Sequence, residues 1–341
     1  MSRPRRRPEA RLPPGCDPAS IILTFPVAPE HAGQRLDRFI QHRIPRLSRT
    51  RAQEVVRACA YRADGTRRRA SERVRAGETV LLVRPPFEEP NVPLYFDVLY
   101  QDEDIVAIDK PAGLPVHPSA TYHKNTLTTL LRERFGDAAP QIAHRLDRET
   151  SGLLLCGRSR AAERALKLDF ENRRVSKRYL AIVRGVMPDD QGRIELPMDR
   201  AREGLHLLME VTPEGEGYPA VTRYRVIARR QDATLLALAP ESGRQHQLRV
   251  HLSANGFPII GDKLYGPEGS QTFLDYIETG MTDGLLERLG HHRHALHAFE
   301  IEFNHPANGQ AMTLRAPLPD DLLRLWGGAL EESELVDPAA C

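Results

Sequence analysis

The chain has 341 residues, 40% of them hydrophobic and 28% charged, with a formal net charge of +2. This composition can build one or two cores and excludes wholesale disorder. Its longest apolar runs, such as Leu153-Leu154-Leu155-Cys156, fall far short of the roughly 18 residues a membrane span needs. The arginine-rich start carries no apolar segment of the secretory kind.

The charge is uneven. Residues 1–84 hold 19 Arg, no Lys and 8 acidic residues, a net of +11, which leaves −9 for residues 85–341. A basic first quarter suggests a polyanion-binding unit, because guanidinium forks match phosphate oxygens. A solvated arginine-rich surface accounts for the charge equally well. Cys16, Cys59, Cys156 and Cys341 are scattered, without metal-ligand spacing or the density of a disulfide framework. A reducing cytoplasm is the expected location.

Residues 1–30 read as a flexible basic tail, rich in Arg and Pro at its start. Leu36, Phe39 and Ile40 recur at i, i+3, i+4 and predict a short helix that Pro45 ends. A second helix follows, capped by Ser48 or Thr50, with Thr50-x-x-Gln53 as a capping box and Ala52, Val55, Val56 and Cys59 as its buried stripe. Asp64-Gly65 reads as a hairpin turn and Thr79 to Val83 as a strand. Residues 31–86 therefore form a small unit of two helices and short strands, with a proline-marked linker over 87–94.

Residues 95–325 read as a second domain and 326–341 as an acidic C-terminal tail. Strands are predicted at Phe96 to Tyr100, Ile105 to Ile108, Leu153 to Cys156, Tyr179 to Arg184, Ala220 to Val226, Thr234 to Ala239 and Glu300 to Phe303. Helices are predicted at Thr126 to Phe135 and Ala161 to Phe170, with a helical excursion over Gln271 to His291. Runs of strands broken by a few helices indicate an α+β fold with a mainly antiparallel sheet.

Three constellations could carry chemistry. His144-Arg145-Leu146-Asp147-Arg148-Glu149-Thr150-Ser151-Gly152 sets a carboxylate between arginines ahead of a buried strand. Such an Asp serves as nucleophile or base when positioned, and as a charged capping turn otherwise. Glu241 to His251 opens a helix, with Ser242-x-x-Gln245 as capping box, Gly256 as its C-terminal glycine, Leu248 and Leu252 facing the core, and Arg244 at an anion-favouring first turn. His291, His292, His294 and His297 invite a metal reading, but no Cys, Asp or Glu accompanies them at ligand spacing. HExxH, Walker A, GxGxxG and GxSxG motifs are all absent.

The string HRLDRETSG, with KRYLA at Lys177 to Ala181 and SGRQHQLRVHL at Ser242 to Leu252, resembles the RluA family of RNA pseudouridine synthases. DKPAGLPVHP at Asp109 to Pro118, GFPIIGDKLYG at Gly256 to Gly266 and ALHAFEIEFNHP at Ala295 to Pro306 continue the match in the family's order. Gly33 to Val83 is similar to the alpha-L RNA-binding module, although Arg62 to Arg69 departs from that module's Val-x-Val-Asn-Gly strand and turn. The resemblance implies isomerisation of uridine to pseudouridine in RNA, with no cofactor and no metal. It implies Asp147 as the catalytic carboxylate, acting on the anomeric carbon, the uracil ring or the ribose 2′ proton. Arg249 would pair with Asp147, Tyr179 would stack on the uracil, and Arg145 would fill the place of the flipped-out nucleotide. The appended basic module points to large-subunit ribosomal RNA as partner, with transfer RNA second. A non-catalytic RNA-binding assembly factor built from the same parts is a further alternative. A cytoplasmic monomer without membrane contact is expected.

Overall fold

The computed structural model describes residues 12–328 apart from 19, 46, 63, 86–88, 120 and 206, together with 330 and 335. The start of the expected tail, the start of the expected linker and most of the expected acidic C-terminus lie outside the described residues. The chain divides into two units, residues 1–89 and 90–341.

In the first unit, β1 (Ile21–Pro26), β2 (Ala60–Tyr61) and β3 (Thr79–Arg84) form an antiparallel sheet in the order β1-β3-β2. Two helices, α1 (Leu36–Arg43) and α2 (Arg49–Cys59), belong to the same unit. Leu36, Phe39 and Ile40 are fully buried in one cluster with Val56, Val80 and Leu82, as their periodicity predicts. Two expectations change. β1 lies inside the segment read as a flexible tail. Its run of β-branched and aromatic residues pairs with β3 from Ile21↔Arg84 to Pro26↔Thr79. Ser48, not Thr50, caps α2, its Oγ accepting from Arg51 N at 3.2 Å. Gln53 donates instead to the buried Asp37, at 3.0 Å.

The second unit opens with β4 (Asp97–Gln101), β5 (Ile105–Lys110), α3 (Leu127–Phe135), β6 (Gln141–Ile142), β7 (Ser151–Gly157) and α4 (Arg160–Glu171). There follow β8 (Ser176–Arg184), β9 (Gln191–Glu195), β10 (Met198–Arg200), β11 (Met209–Val211), β12 (Val221–Arg229) and β13 (Ala233–Pro240). It ends with α5 (Gln247–Ala254), α6 (Gln271–Thr279), α7 (Asp283–Leu289), β14 (Leu296–Asn304), β15 (Ala311–Arg315) and α8 (Asp320–Trp326). One ten-stranded sheet runs β4-β5-β7-β14-β8-β13-β12-β9, with β15 added to β14 and β6 to β7. All its pairs are antiparallel except β7–β14, so the fold is α+β with a mainly antiparallel sheet.

That parallel junction lies inside the sheet of the second unit. Gly152 has φ +107°, and a Cβ there would lie 2.3 Å from the Ala298 carbonyl oxygen. Only glycine lets β7 come this close to β14. α5 starts later than the capping box predicted. His246 precedes it in the left-handed region, and the Gln247 side chain, not Gln245, ties down the approach. Gly256, φ +86°, stands just past the helix end as expected. α8 runs through Trp326, past the expected domain end at 325, because Trp326 and Leu335 are buried in the same core cluster. Among the described residues no helix is long and apolar enough to cross a membrane.

Candidate active site

The HRLDRETSG segment leads from β6 into β7 as an irregular turn closed by Thr150 N–H donating to the Asp147 carbonyl at 3.2 Å. Such a turn exposes backbone groups that neighbours must satisfy. Lys110, at the end of β5 and fully buried, donates to the carbonyls of Pro111, Leu114 and Arg148 at 2.8, 3.0 and 3.0 Å. Burial lowers its pKa to about 7, while three acceptors match the three N–H bonds of its ammonium form. His144 Nε2 accepts from Leu155 N at 3.0 Å, and the ring lies against Phe170. Burial pushes its pKa down to about 3, so it stays a neutral structural acceptor.

The Asp147 carboxylate is 20% exposed, and its Oδ2 accepts from Arg249 Nη1 at 3.0 Å. Arg249, on α5, turns its Nε and Nη2 to Asp262 at 2.7 and 2.8 Å. Asp262 also accepts from the backbone N–H groups of Leu264 and Tyr265. Burial opposes charge on both partners. Asp262 outweighs it and raises the Arg249 pKa, and Arg249 in turn lowers that of Asp262. The guanidinium thus bridges a fully buried acid and a half-open one, with the Tyr265 ring 5.0 Å from its carbon.

The second oxygen of Asp147, Oδ1, faces His246 Nε2 at 3.9 Å. His246 Nδ1 is 2.7 Å from the Tyr265 hydroxyl. Burial lowers the His246 pKa to about 4, and burial raises that of Tyr265 to about 12. Tyr179 lies on β8 between β13 and β14, opposite Leu238 and Ala298. Burial, and then the charge of Asp147, pushes its pKa up. Arg145 is exposed, and its charge is felt at His117 and His246. Two of the other predicted residues therefore meet the Asp147 carboxylate, Arg249 by direct contact and Tyr179 through its electrostatic interaction with Asp147, while Arg145 interacts with His246.

A further set of residues braces the turn, and the sequence did not mark their roles. Glu149 accepts from Lys263 through both oxygens at 3.0 Å. Thr150 Oγ1 is 2.8 Å from His294 Nε2, and Ser151 Oγ is 2.9 Å from His297 Nδ1. Arg293 donates to the Glu149 carbonyl and binds Asp321 through two bonds of 2.6 and 2.9 Å. Two of the clustered histidines are thus hydrogen-bond partners of the turn. His291, His292 and Asp321 could group around a metal ion, as could Asp102, Asp104 and His305. In the first group Arg293 already occupies Asp321. In the second, Asp102 is taken by Tyr100, His305 and two backbone N–H groups. One signal for Asp262 was available: an arginine with five donors and one carboxylate partner needs another acceptor. The GDKLYG block held it.

The family model described as RNA pseudouridylate synthase matches residues 104–254, which include β5 to α5 and the Asp147 turn. The ribosomal large subunit pseudouridine synthase D of Xanthomonas campestris is 36% identical over 329 residues, covering 93% of this chain and 96% of that protein. Its counterpart of the same name in Haemophilus influenzae is 33% identical, covering 89% and 94%. Among solved structures, human RNA pseudouridylate synthase domain containing 1 shares 26% identity with a TM-score of 0.54, covering 70% of this chain and 89% of that one.

Proposed function

The chain belongs to the RluA family of RNA pseudouridine synthases, and on that premise we propose that it isomerises uridines of large-subunit ribosomal RNA with Asp147 as the reacting carboxylate. One observation carries the choice of Asp147. Its Oδ2 is anchored by a buried arginine that a second acid holds in place, while its Oδ1, 3.9 Å from His246 Nε2, has no hydrogen-bond partner among the described residues. A charge network of this kind is costly to bury, and its one half-open member is the group positioned to act.

The reaction breaks the bond between uracil N1 and ribose C1′ and forms one between C5 and C1′. N1 gains a proton and the C5 proton leaves, with no net oxidation. The uridine must leave the stack before a side chain can reach its glycosidic bond, which costs a few kcal/mol. Tyr179 supplies an aromatic face for the extruded uracil. Its hydroxyl, with a pKa pushed above the ordinary tyrosine value, stays protonated near neutrality. Arg145, exposed and two residues from Asp147, would fill the gap in the RNA.

The target rests on two supports. The relatives from X. campestris and H. influenzae are named for the large ribosomal subunit. The first unit exposes Arg43, Arg49 and Arg57, which no carboxylate of the described residues holds, as an RNA-binding module requires. The reading carries with it a cytoplasmic monomer. It is tested by tritium release from RNA labelled at uridine C5, comparing the wild type with Asp147→Asn. Large-subunit ribosomal RNA should release tritium with the wild type alone, and the variant should bind the RNA as tightly. Release by the variant refutes the role of Asp147. Release from transfer RNA alone refutes the target.

A further inference from the structure

His246 holds an uncommon backbone conformation, φ 55° and ψ 15°, which is unfavourable for a residue with a Cβ. The neighbouring contacts impose it. Gln247 Oε1 accepts from Ser242 Oγ and Arg244 N, and its Nε2 donates to the Val221 carbonyl and to Thr222 Oγ1. The result is an imidazole directed at Asp147. Among the described residues, Arg249 and His246 are the two basic side chains with a nitrogen within 4.0 Å of that carboxylate. Arg249 has its donors engaged with Asp262 and Asp147 Oδ2. His246 faces the open Oδ1.

The contacts of Tyr265 fit the tautomer of His246 that carries its proton on Nε2. The Tyr265 hydroxyl accepts from Met209 N at 3.0 Å, which leaves its own proton for His246 Nδ1, 2.7 Å away. An imidazole that accepts at Nδ1 donates at Nε2. Nε2 stands 3.9 Å from Asp147 Oδ1, too far for a hydrogen bond and close enough to reach a group seated on that oxygen.

We propose that His246 is a catalytic hydrogen-bond donor whose Nε2–H bonds a carbonyl oxygen of the target uracil while that ring carries negative charge beside Asp147. The proposal rests on the reading of Asp147 as the reacting group. It does not depend on which route Asp147 follows. Loss of the base from C1′ leaves the bonding pair on uracil, whether Asp147 attacks C1′ or removes the 2′ proton. Addition to the ring makes an enolate. In every case a uracil carbonyl oxygen becomes more negative, and a preorganised donor there lowers the barrier. No proton is transferred by His246. A neutral donor also leaves the charge of Asp147 intact, and burial keeps His246 neutral well below pH 7.

The test uses the full chain, 5-tritiated large-subunit ribosomal RNA, single-turnover release and separate RNA affinities. His246→Asn tolerates the left-handed backbone and retains an amide for Tyr265, but it does not reach the uracil. It should slow release about 10- to 100-fold with RNA affinity unchanged. His246→Gln, which carries an N–H out to the Nε2 position, should recover most of the loss. Tyr265→Phe should slow release less, and not at all in a His246→Asn background. Wild-type rates for His246→Asn overturn the proposal. So does a loss expressed only as weaker RNA binding, or a Gln variant as slow as Asn. If His246→Asn fails to fold, a fully active Tyr265→Phe overturns it. A wild-type protein that releases no tritium refutes the parent reading as well, which separates the two failures.

Discussion

Asp262 and Asp147 share one arginine but hold it unequally, and stability should separate them. Asp262 is 1% exposed and accepts four hydrogen bonds: two from Arg249 at 2.7 and 2.8 Å, and two from backbone N–H groups at 2.9 and 3.1 Å. Asp147 accepts one among the described residues, at 3.0 Å, and is 20% exposed. Asp262→Asn leaves a buried guanidinium with a single charged partner, and breaking a buried pair typically costs about 3–5 kcal/mol. Asp147→Asn leaves Arg249 fully paired on its buried side and should cost under about 1 kcal/mol. The one tryptophan of the chain, Trp326, is buried in the second unit, so its fluorescence follows unfolding of that unit. With a urea slope of about 3 kcal/mol per M, Asp262→Asn should lower the midpoint by about 1–2 M and Asp147→Asn barely move it. Equal shifts for the two variants, or none for Asp262→Asn, would refute the unequal sharing.

Other consequences follow from the same site. Tyr179→Phe should keep most of the isomerisation rate and Tyr179→Ala should lose the stacking worth about 1–3 kcal/mol, measured by single-turnover kinetics; equal loss in both would assign the work to the hydroxyl. Burial depresses His144 to about 3 and His246 and His297 to about 4, so between those values and about 6.5 the unfolded chain binds more protons than the folded one. Stability should therefore fall as pH drops below about 6.5, by about 1.4 kcal/mol per unit for each histidine, and a midpoint unchanged between pH 7 and 5 would contradict this. Removing residues 1–89 should weaken RNA binding and flatten its salt dependence, each lost phosphate contact reducing the slope by about 0.7–0.9. Identical slopes for the full and shortened chains would remove the first unit from RNA recognition.

Regular elements with a strong period were legible in the sequence. Leu36, Phe39 and Ile40 marked α1, and the strand runs marked an antiparallel α+β sheet. β1 was not legible, because Arg and Pro precede it and its residues are only half-buried, without clean alternation. The start of α5 was misread because the Gln247 side chain does the work expected of a capping box at Ser242. In the site, the motif strings brought forward Asp147, Arg145, Tyr179 and Arg249. The support around them has no local pattern. Lys263 reaches Glu149 across 114 residues, and Arg293 reaches the same residue across 144. Nothing in a window of eighteen residues reports such partners.

The distances along the chain also fix when this enzyme can begin to work. Thr150 and His294 are 144 positions apart, Ser151 and His297 are 146, and β7 lies against β14 only where Gly152 admits it. During synthesis Asp147 emerges long before the strand that braces its turn. Contacts of such separation form late, because the intervening loop must close first. A nascent chain that has not yet delivered β14 carries the motif residues without their geometry. Activity on RNA is then a property of the finished chain, and a nonsense mutation shortly before Leu296 should give a protein that keeps the first unit and cannot react.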